Sequence, residues 1–146
     1  MRLTTLRQNP TCKNLSPDSS TVASEVTGCS AVDFEARGRH ALATLVNCKR
    51  ELLTDEQSLR EIVRGAALAA GATVLQLTSH CFDPPGVTVV AVLAESHASL
   101  HTYPHVGIVF WDCFTCGTTC DPLLSIDFLT EALSPSEVRQ QLVERE

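Results

Sequence analysis

Side chains that can act as a nucleophile, a base or a reactive thiol are concentrated between Glu95 and Gly117 of this sequence. The stretch contains a serine followed by a histidine, Ser96-His97, and a cysteine beside a glycine, Cys116-Gly117. A serine hydroxyl becomes a nucleophile when a base removes its proton, and a thiol at a strand end can be exposed and reactive. Ser96 lacks the flanking glycines of a hydrolase nucleophile, so the residue types alone favour a polar strand end.

Cys113 and Cys116 form a C-x-x-C pair, with Cys120 close behind, which is compatible with a metal or redox site. Structural zinc normally uses four ligands in two spaced pairs, and the remaining cysteines are distant in sequence, so we expect no metal. Cys113 follows Trp111 in an apolar segment and is expected to be buried, as unpaired cysteines often are. Cys116 is therefore the better candidate for chemistry.

The composition of the chain excludes several classes of function. Its 146 residues suffice for one domain, and no apolar run approaches the roughly 18 residues that a membrane span requires. The 11 Lys and Arg residues are scattered among 17 Asp and Glu residues, so we expect no nucleic acid and no membrane as partners. The seven cysteines follow no small-disulfide pattern and no signal peptide is apparent, which predicts a cytoplasmic protein with reduced thiols.

The elements that must position these side chains lie in the second of two parts of the chain. Residues 1–36 are rich in Ser, Thr, Asn, Asp and Pro without apolar periodicity, which is typical of a flexible tail. Residues 37–146 are predicted to form the domain. Within them, strand-like runs cover 41–46, 73–78, 87–94 and 106–114, and Pro84-Pro85-Gly86 predicts a turn.

Two helices complete the prediction. The first begins with a capping box at Thr54 and Gln57 and ends at Gly71, and the second begins at Pro122 and stops at Pro135. The pattern of residues 138–146 fits a helix as well as a strand. The resulting βαβββα order predicts an α+β fold, a two-layer α/β sandwich with a mainly antiparallel sheet and its helices on one face.

Two runs in the chemical stretch, Ala94 to Pro104 and Asp112 to Gly117, resemble the bacterial and archaeal S-adenosylmethionine decarboxylase proenzyme family. The resemblance extends to Gly38-Arg39-His40, to Ala69-Ala70-Gly71-Ala72-Thr73-Val74, and to Phe82 with Gly86-Val87. It therefore covers the chain from about Gly38 to the C-terminus and leaves out only the predicted tail.

The resemblance implies a self-processing enzyme that depends on a pyruvoyl group. The hydroxyl of Ser96 would attack the carbonyl of Glu95, and the chain would separate into a β chain ending at Glu95 and an α chain starting at Ser96. Ser96 would then become the pyruvoyl cofactor. His101 matches the histidine that acts in processing, and Thr88 stands where the family usually has a serine that assists it.

The resemblance also assigns the later chemistry. The pyruvoyl group would form a Schiff base with a small amino-acid-type substrate and accept the electrons released with carbon dioxide. Cys116 matches the cysteine that returns a proton to the α carbon. The family further implies a role in polyamine biosynthesis and a homodimer of processed αβ units, whose active sites contain residues from both protomers.

The predicted substrate pocket departs from the family at two positions. Phe82 and Tyr103 match the aromatic residues that stack on adenine, the second usually being Trp. His105 replaces an acidic residue that holds the ribose hydroxyls, and Asp83 replaces an apolar residue and could pair with a guanidinium or ammonium group. These differences leave open an alternative substrate, arginine or ornithine, for the same chemistry.

A third hypothesis comes from a different class of function, a catalytically dead regulatory subunit. A subunit without activity has no need for a processing serine, its histidine and a proton donor. The presence of Ser96, His101 and Cys116 therefore disfavours this hypothesis.

Overall fold

A computed structural model of the protein describes residues 37–146, and the predicted tail, residues 1–36, lies outside the described residues. The strands are β1 Gly38–Val46, β2 Val74–Phe82, β3 Gly86–Leu93, β4 Ser96–Tyr103, β5 Ile108–Cys116 and β6 Glu137–Arg145. The helices are α1 Glu56–Ala69 and α2 Leu123–Leu133, and a 3-10 helix, Arg50–Thr54, precedes α1.

The strands form one sheet in the order β2-β3-β4-β5-β1-β6, in which every neighbouring pair is antiparallel. Helix α1 packs on β2, β3 and β4, helix α2 packs on β1, and the two helices pack on each other. Both helices therefore cover the same face. This confirms the predicted α+β fold with its helices on one face of the sheet.

The core lies between the helices and alternate residues of the central strands. On β3, Val87, Val89 and Ala91 are at most 1% exposed, whereas Val92 is 45% exposed. A fully buried valine contributes roughly 1.5–3 kcal/mol. The indole N–H of Trp111 donates to the Ser125 hydroxyl at 2.9 Å. The largest buried side chain therefore has a hydrogen-bond partner for its one polar group.

Strands β4 and β6 differ from the prediction, which placed no strand at residues 96–103 and left residues 138–146 ambiguous. β4 was missed because His97, Ser99 and His101 interrupt its apolar residues. In the sheet they alternate with buried Ala98 and Leu100, as a strand with one covered face requires. β6 pairs with β1 at the edge of the sheet, so its sparse apolar pattern reflects partial exposure.

The predicted capping box at the start of α1 is wrong by one residue. Thr54 lies in the 3-10 helix, and Asp55 is the N-cap, whose carboxylate accepts from the Ser58 backbone N–H at 3.2 Å. The Ser58 hydroxyl donates to the same carboxylate at 2.7 Å, and these bonds lower the pKa of Asp55. Gly71, with a φ of 80°, follows the helix as predicted and lets the chain turn toward β2.

The face of the sheet opposite the helices is called the open face below, because no element within residues 37–146 covers it. Its central strands present both polar and apolar side chains. The large apolar residues Val92 and Phe110 are 45% and 41% exposed. By strand alternation and register, the face includes His40, Thr88, Val90, Val92, His97, Ser99, His101, Phe110, Asp112, Phe114 and Cys116.

Candidate active site

The bond between Glu95 and Ser96 lies in the tight turn between β3 and β4. Leu93 and Ser96 are paired across this turn, which leaves only Ala94 and Glu95 in the loop. The Glu95 carbonyl accepts from the Cys116 backbone N–H at 2.9 Å, and the Glu95 carboxylate accepts from the Thr73 backbone N–H at 2.9 Å. Both polar groups of Glu95 are thus held, and the carbonyl before Ser96 is polarised by a fixed donor.

Ser96 itself has an unusual backbone. Its φ is 156°, a positive value that residues with a side chain rarely adopt. Its hydroxyl lies 3.2 Å from Nδ1 of His97, the neighbouring residue, and its side chain is partly exposed. The structure therefore places a hydroxyl, an imidazole and a polarised carbonyl at one turn. His97 was quoted in the sequence motif, but no role was predicted for it.

Cys116 closes β5 beside this turn and is partly exposed. Cys113 lies three residues earlier, on the helix side of the sheet, and burial raises the pKa of its thiol to about 11. Burial also raises the pKa of Cys48 to about 11, and it raises the pKa of Cys120. Among the described free cysteines, Cys116 is thus the accessible one, as the sequence predicts.

Cys81 differs from the other described cysteines because it is disulfide-bonded. The other four cysteines within residues 37–146 are free. The expectation of reduced thiols is therefore wrong at Cys81.

His101 and Thr88 lie together in the middle of the open face. They are opposite each other on β4 and β3, and the Thr88 hydroxyl is 2.8 Å from Nδ1 of His101. His101 follows Ser96 by five residues on the same strand, so the two are separated by roughly 16 Å at the usual strand rise. Within one protomer the structure therefore does not bring the predicted processing histidine to Ser96.

The predicted pocket residues lie at the opposite end of the sheet. The β2–β3 turn carries Asp83 next to Phe82, and the β4–β5 turn carries His105 close to Tyr103. The ring of Tyr103 is 6.3 Å from that of His105, and both Phe82 and Tyr103 are exposed. Tyr103 lies at the other end of β4 from Ser96, which is roughly 23 Å at the usual strand rise.

Asp112 and His40 are polar residues of the open face to which the sequence assigned no role. One carboxylate oxygen of Asp112 accepts from the Ser99 hydroxyl at 3.3 Å, and the other lies 3.5 Å from Nε2 of His40. The His40 contact is an electrostatic one, because that nitrogen makes no hydrogen bond of good geometry. Burial lowers the pKa of His40, although Asp112 acts in the opposite direction. The signal available in the sequence was their place in runs that resemble the family, Gly38-Arg39-His40 and Asp112 to Gly117.

Aromatic rings surround the Ser96 end of the open face. The ring of Phe114 lies 5.8 Å from that of His97 and 5.6 Å from that of His40. Arg145 is the last residue of the edge strand β6. Its guanidinium carbon lies 4.5 Å from the centre of the Phe114 ring. Aromatic rings and one guanidinium group thus border the Glu95–Ser96 turn.

The C-x-x-C pair does not form a metal site. Cys113 and Cys116 are three residues apart on one strand, so their side chains point to opposite faces of the sheet. Within residues 37–146, no cluster of three or more His, Cys, Asp or Glu side chains is arranged to hold a metal ion. No helix in the same part of the chain has the length and apolar character to cross a bilayer.

The fold and the site agree with comparisons to known proteins. A family model described as S-adenosylmethionine decarboxylase matches residues 39–146. An S-adenosylmethionine decarboxylase proenzyme of Brevibacillus brevis is 41% identical over 106 residues, covering 73% of this chain and 80% of the relative. One from Pyrobaculum neutrophilum is 42% identical over 102 residues, covering 69% of this chain and 82% of the relative.

A crystal structure of the adenosylmethionine decarboxylase from Aquifex aeolicus superimposes on the chain with a TM-score of 0.67 at 33% identity, covering 74% of this chain and 89% of that one. Fold and sequence together define a decarboxylase, a carboxy-lyase with an antiparallel sheet and helices on one face. The chain belongs to the S-adenosylmethionine decarboxylase family.

Proposed function

We propose that the chain is a proenzyme that cleaves itself between Glu95 and Ser96 and then decarboxylates S-adenosylmethionine for polyamine biosynthesis. The observation that carries this proposal is the contact at 2.9 Å between the Cys116 backbone N–H and the Glu95 carbonyl, directly before Ser96. It occurs within the segment that matches the family. Residues 37–146 would be the catalytic domain.

The proposed cleavage begins with the Ser96 hydroxyl. The Ser96 hydroxyl oxygen bonds to the Glu95 carbonyl carbon, the carbon–nitrogen bond breaks, and the proton of the hydroxyl ends on the freed amine. During this step the Cys116 N–H stabilises the negative oxygen. Loss of the Ser96 α proton then expels Glu95 as a carboxylate. Addition of one water and loss of ammonia leave the pyruvoyl group at the new N-terminus.

The surroundings of Ser96 fit such a group. Ser96 and Cys116 are partly exposed, and no atom lies within 4 Å of the position that a Cβ on Gly117 would occupy. A pyruvoyl group supplies a ketone for the substrate amine and an electron sink for the loss of carbon dioxide. Cys116 would donate the proton that the α carbon then needs.

A homodimer would complete the active site. His101 and the exposed aromatic residues Phe82 and Tyr103 are too far from Ser96 of their own chain to act there. Two open faces could pack with their strand directions reversed. The end of one sheet that carries Phe82 and Tyr103 would then meet the end of the other sheet that carries Ser96. The exposed Val92 and Phe110 would then be buried between the sheets. Thr88 and His101 of one protomer would act on Ser96 of the partner subunit.

The names of the relatives favour S-adenosylmethionine over arginine or ornithine as the substrate. Phe82 and Tyr103 offer stacking faces for adenine. His105 and Asp83 would contact polar groups of the same substrate. Carbon dioxide release with the three compounds side by side tests this choice. Release from S-adenosylmethionine alone is expected. Release from only arginine or ornithine would overturn the substrate and leave the pyruvoyl chemistry intact.

The location of the enzyme is proposed to be the cytoplasm. Four free cysteines in residues 37–146 support a reducing compartment, whereas the disulfide at Cys81 counts against it. Fractionation of cells that express the protein, followed by immunoblotting, tests the point. We expect the protein in the cytoplasmic fraction, and its absence from that fraction would contradict a cytoplasmic location.

A further inference from the structure

Four polar side chains form a chain of contacts across three neighbouring strands of the open face. Asp112 on β5 accepts from the Ser99 hydroxyl on β4 at 3.3 Å. The Ser99 oxygen lies 3.5 Å from Nε2 of His101, two residues further along β4. Nδ1 of His101 is in turn 2.8 Å from the Thr88 hydroxyl on β3. Asp112 and His101 are thus linked through Ser99, without direct contact.

The direction of the hydrogen bonds follows from the number of protons available. A carboxylate only accepts hydrogen bonds, and a serine hydroxyl has a single proton. The Ser99 hydroxyl therefore donates its one hydrogen bond to Asp112. Its oxygen can then only accept from His101, which requires a hydrogen on Nε2. A neutral imidazole with Nε2 protonated has a bare Nδ1. Nδ1 therefore faces Thr88 as an acceptor.

We propose that Asp112 is a positioning residue that acts through Ser99 and holds His101 in the tautomer with a proton on Nε2, so that Nδ1 accepts a hydrogen bond from the Thr88 hydroxyl. This inference rests on the proposed function, since it concerns the pair that would act in self-cleavage. It adds Asp112 and Ser99, two residues to which neither the sequence motif nor the comparisons give a role.

The other neighbour of Asp112 is compatible with this assignment. His40 approaches the second carboxylate oxygen at 3.5 Å and leaves the oxygen used by Ser99 free. Burial lowers the pKa of His40, which favours the neutral ring and weakens its attraction for the Asp112 carboxylate. Ser99 and Asp112 are also direct neighbours in the β4–β5 register, so their contact is set by the backbone.

The tautomer can be measured without any cleavage. Ser96→Ala protein, labelled with ¹⁵N in histidine, gives separate ¹⁵N resonances for the two ring nitrogens of each histidine, and His101→Gln identifies those of residue 101. We expect a protonated Nε2 and an unprotonated Nδ1. Adding Asp112→Asn, whose amide can donate to Ser99 and reverse the chain, should move the proton to Nδ1. Ser99→Ala should give a mixture of tautomers, and Ser99→Thr should restore the original state.

The same substitutions in the cleavable chain test the consequence for processing. We expect Asp112→Asn and Ser99→Ala to slow the appearance of the two fragments about tenfold or more. This is less than the roughly 10²–10⁴-fold that a positioned base contributes, because His101 itself remains. Ser99→Thr should cleave near the parent rate, and so should Asp127→Asn, a matched acid on the exposed side of α2. Thermal unfolding of each variant shows that it is folded.

The outcomes separate this inference from the proposed function. A parent chain that never cleaves contradicts the proposed function, while the tautomer measurement still decides the role of Asp112. The inference is overturned if His101 carries its proton on Nδ1, or if neither Asp112→Asn nor Ser99→Ala changes the tautomer. Unaltered cleavage despite a changed tautomer overturns the role in processing.

Discussion

The backbone N–H of Cys116 donates to the carbonyl of Glu95 at 2.9 Å, across the turn that precedes Ser96. One residue thereby provides two groups to the site, a main-chain donor at the carbonyl and a partly exposed thiol beside it. The main-chain donor suits cleavage, and the thiol suits the later proton transfer. The two roles can be separated by mutation because only one of them depends on the side chain.

Cys116→Ala should therefore cleave at the parent rate but turn over poorly. The backbone N–H remains in place, while the donor for the α carbon is lost. We expect turnover to fall roughly 10²-fold, a typical contribution of a positioned acid. The rate of fragment formation measures self-cleavage, and carbon dioxide release by the cleaved protein measures turnover. Thr118→Ala, at a neighbouring exposed residue, is the control and should behave like the parent. Full turnover in Cys116→Ala would exclude the thiol as the donor.

Two inactive chains should complement each other if the site is shared between protomers. Ser96→Ala lacks the nucleophile and His101→Ala lacks the processing histidine, so neither is expected to cleave alone. In a mixed dimer, one site combines Ser96 of the His101→Ala chain with His101 of the Ser96→Ala chain. Co-expression should thus yield cleaved His101→Ala chains, detected by intact mass. No cleavage in verified mixed dimers would contradict the shared site.

The open face is expected to be the dimer interface. A carboxylate at Phe110, which is 41% exposed, would be buried unpaired between two sheets at a high energetic cost. Phe110→Glu should give monomers in analytical ultracentrifugation and should stop cleavage. Leu124→Glu places the same charge on α2, at a residue that is 47% exposed, and should remain a cleaving dimer. A dimeric, cleaving Phe110→Glu protein would place the interface elsewhere.

Thiol alkylation should distinguish the cysteines in the folded protein. At pH 8 a thiol with a pKa of about 11, as at Cys48 and Cys113, is ionised in roughly one molecule in a thousand. Both are also buried, whereas Cys116 is partly exposed. Brief treatment with iodoacetamide should modify Cys116 first, as read by peptide mass spectrometry, with denatured protein as the control. Equal modification of Cys113 would contradict its burial.

The sequence predicted the layer architecture because hydrophobic periodicity reports directly on the face that the helices cover. It missed β4 because polar residues of the open face, such as His97 and Ser99, interrupt the apolar run. The motif named Ser96, His101 and Cys116, and the structure places Ser96 and Cys116 at one turn. The separation of His101 from Ser96 depends on strand direction and register, which local sequence patterns do not specify.

The link from Asp112 to His101 could not be predicted from the sequence for a similar reason. Ser99 and Asp112 are thirteen residues apart in the chain and meet only through the β4–β5 register. The pair has no characteristic spacing. Only the three-dimensional arrangement of the side chains shows that a hydroxyl connects the carboxylate to the imidazole.

The intact mass of the purified full-length protein tests the central claim most directly. Cleavage predicts two fragments that separate after Glu95, the second beginning with a pyruvoyl group in place of Ser96 and therefore resistant to Edman degradation. Ser96→Ala should stay a single chain, whereas Ser136→Ala, at an exposed serine before β6, should cleave like the parent. A parent protein that remains one uncut chain after prolonged incubation would contradict the account.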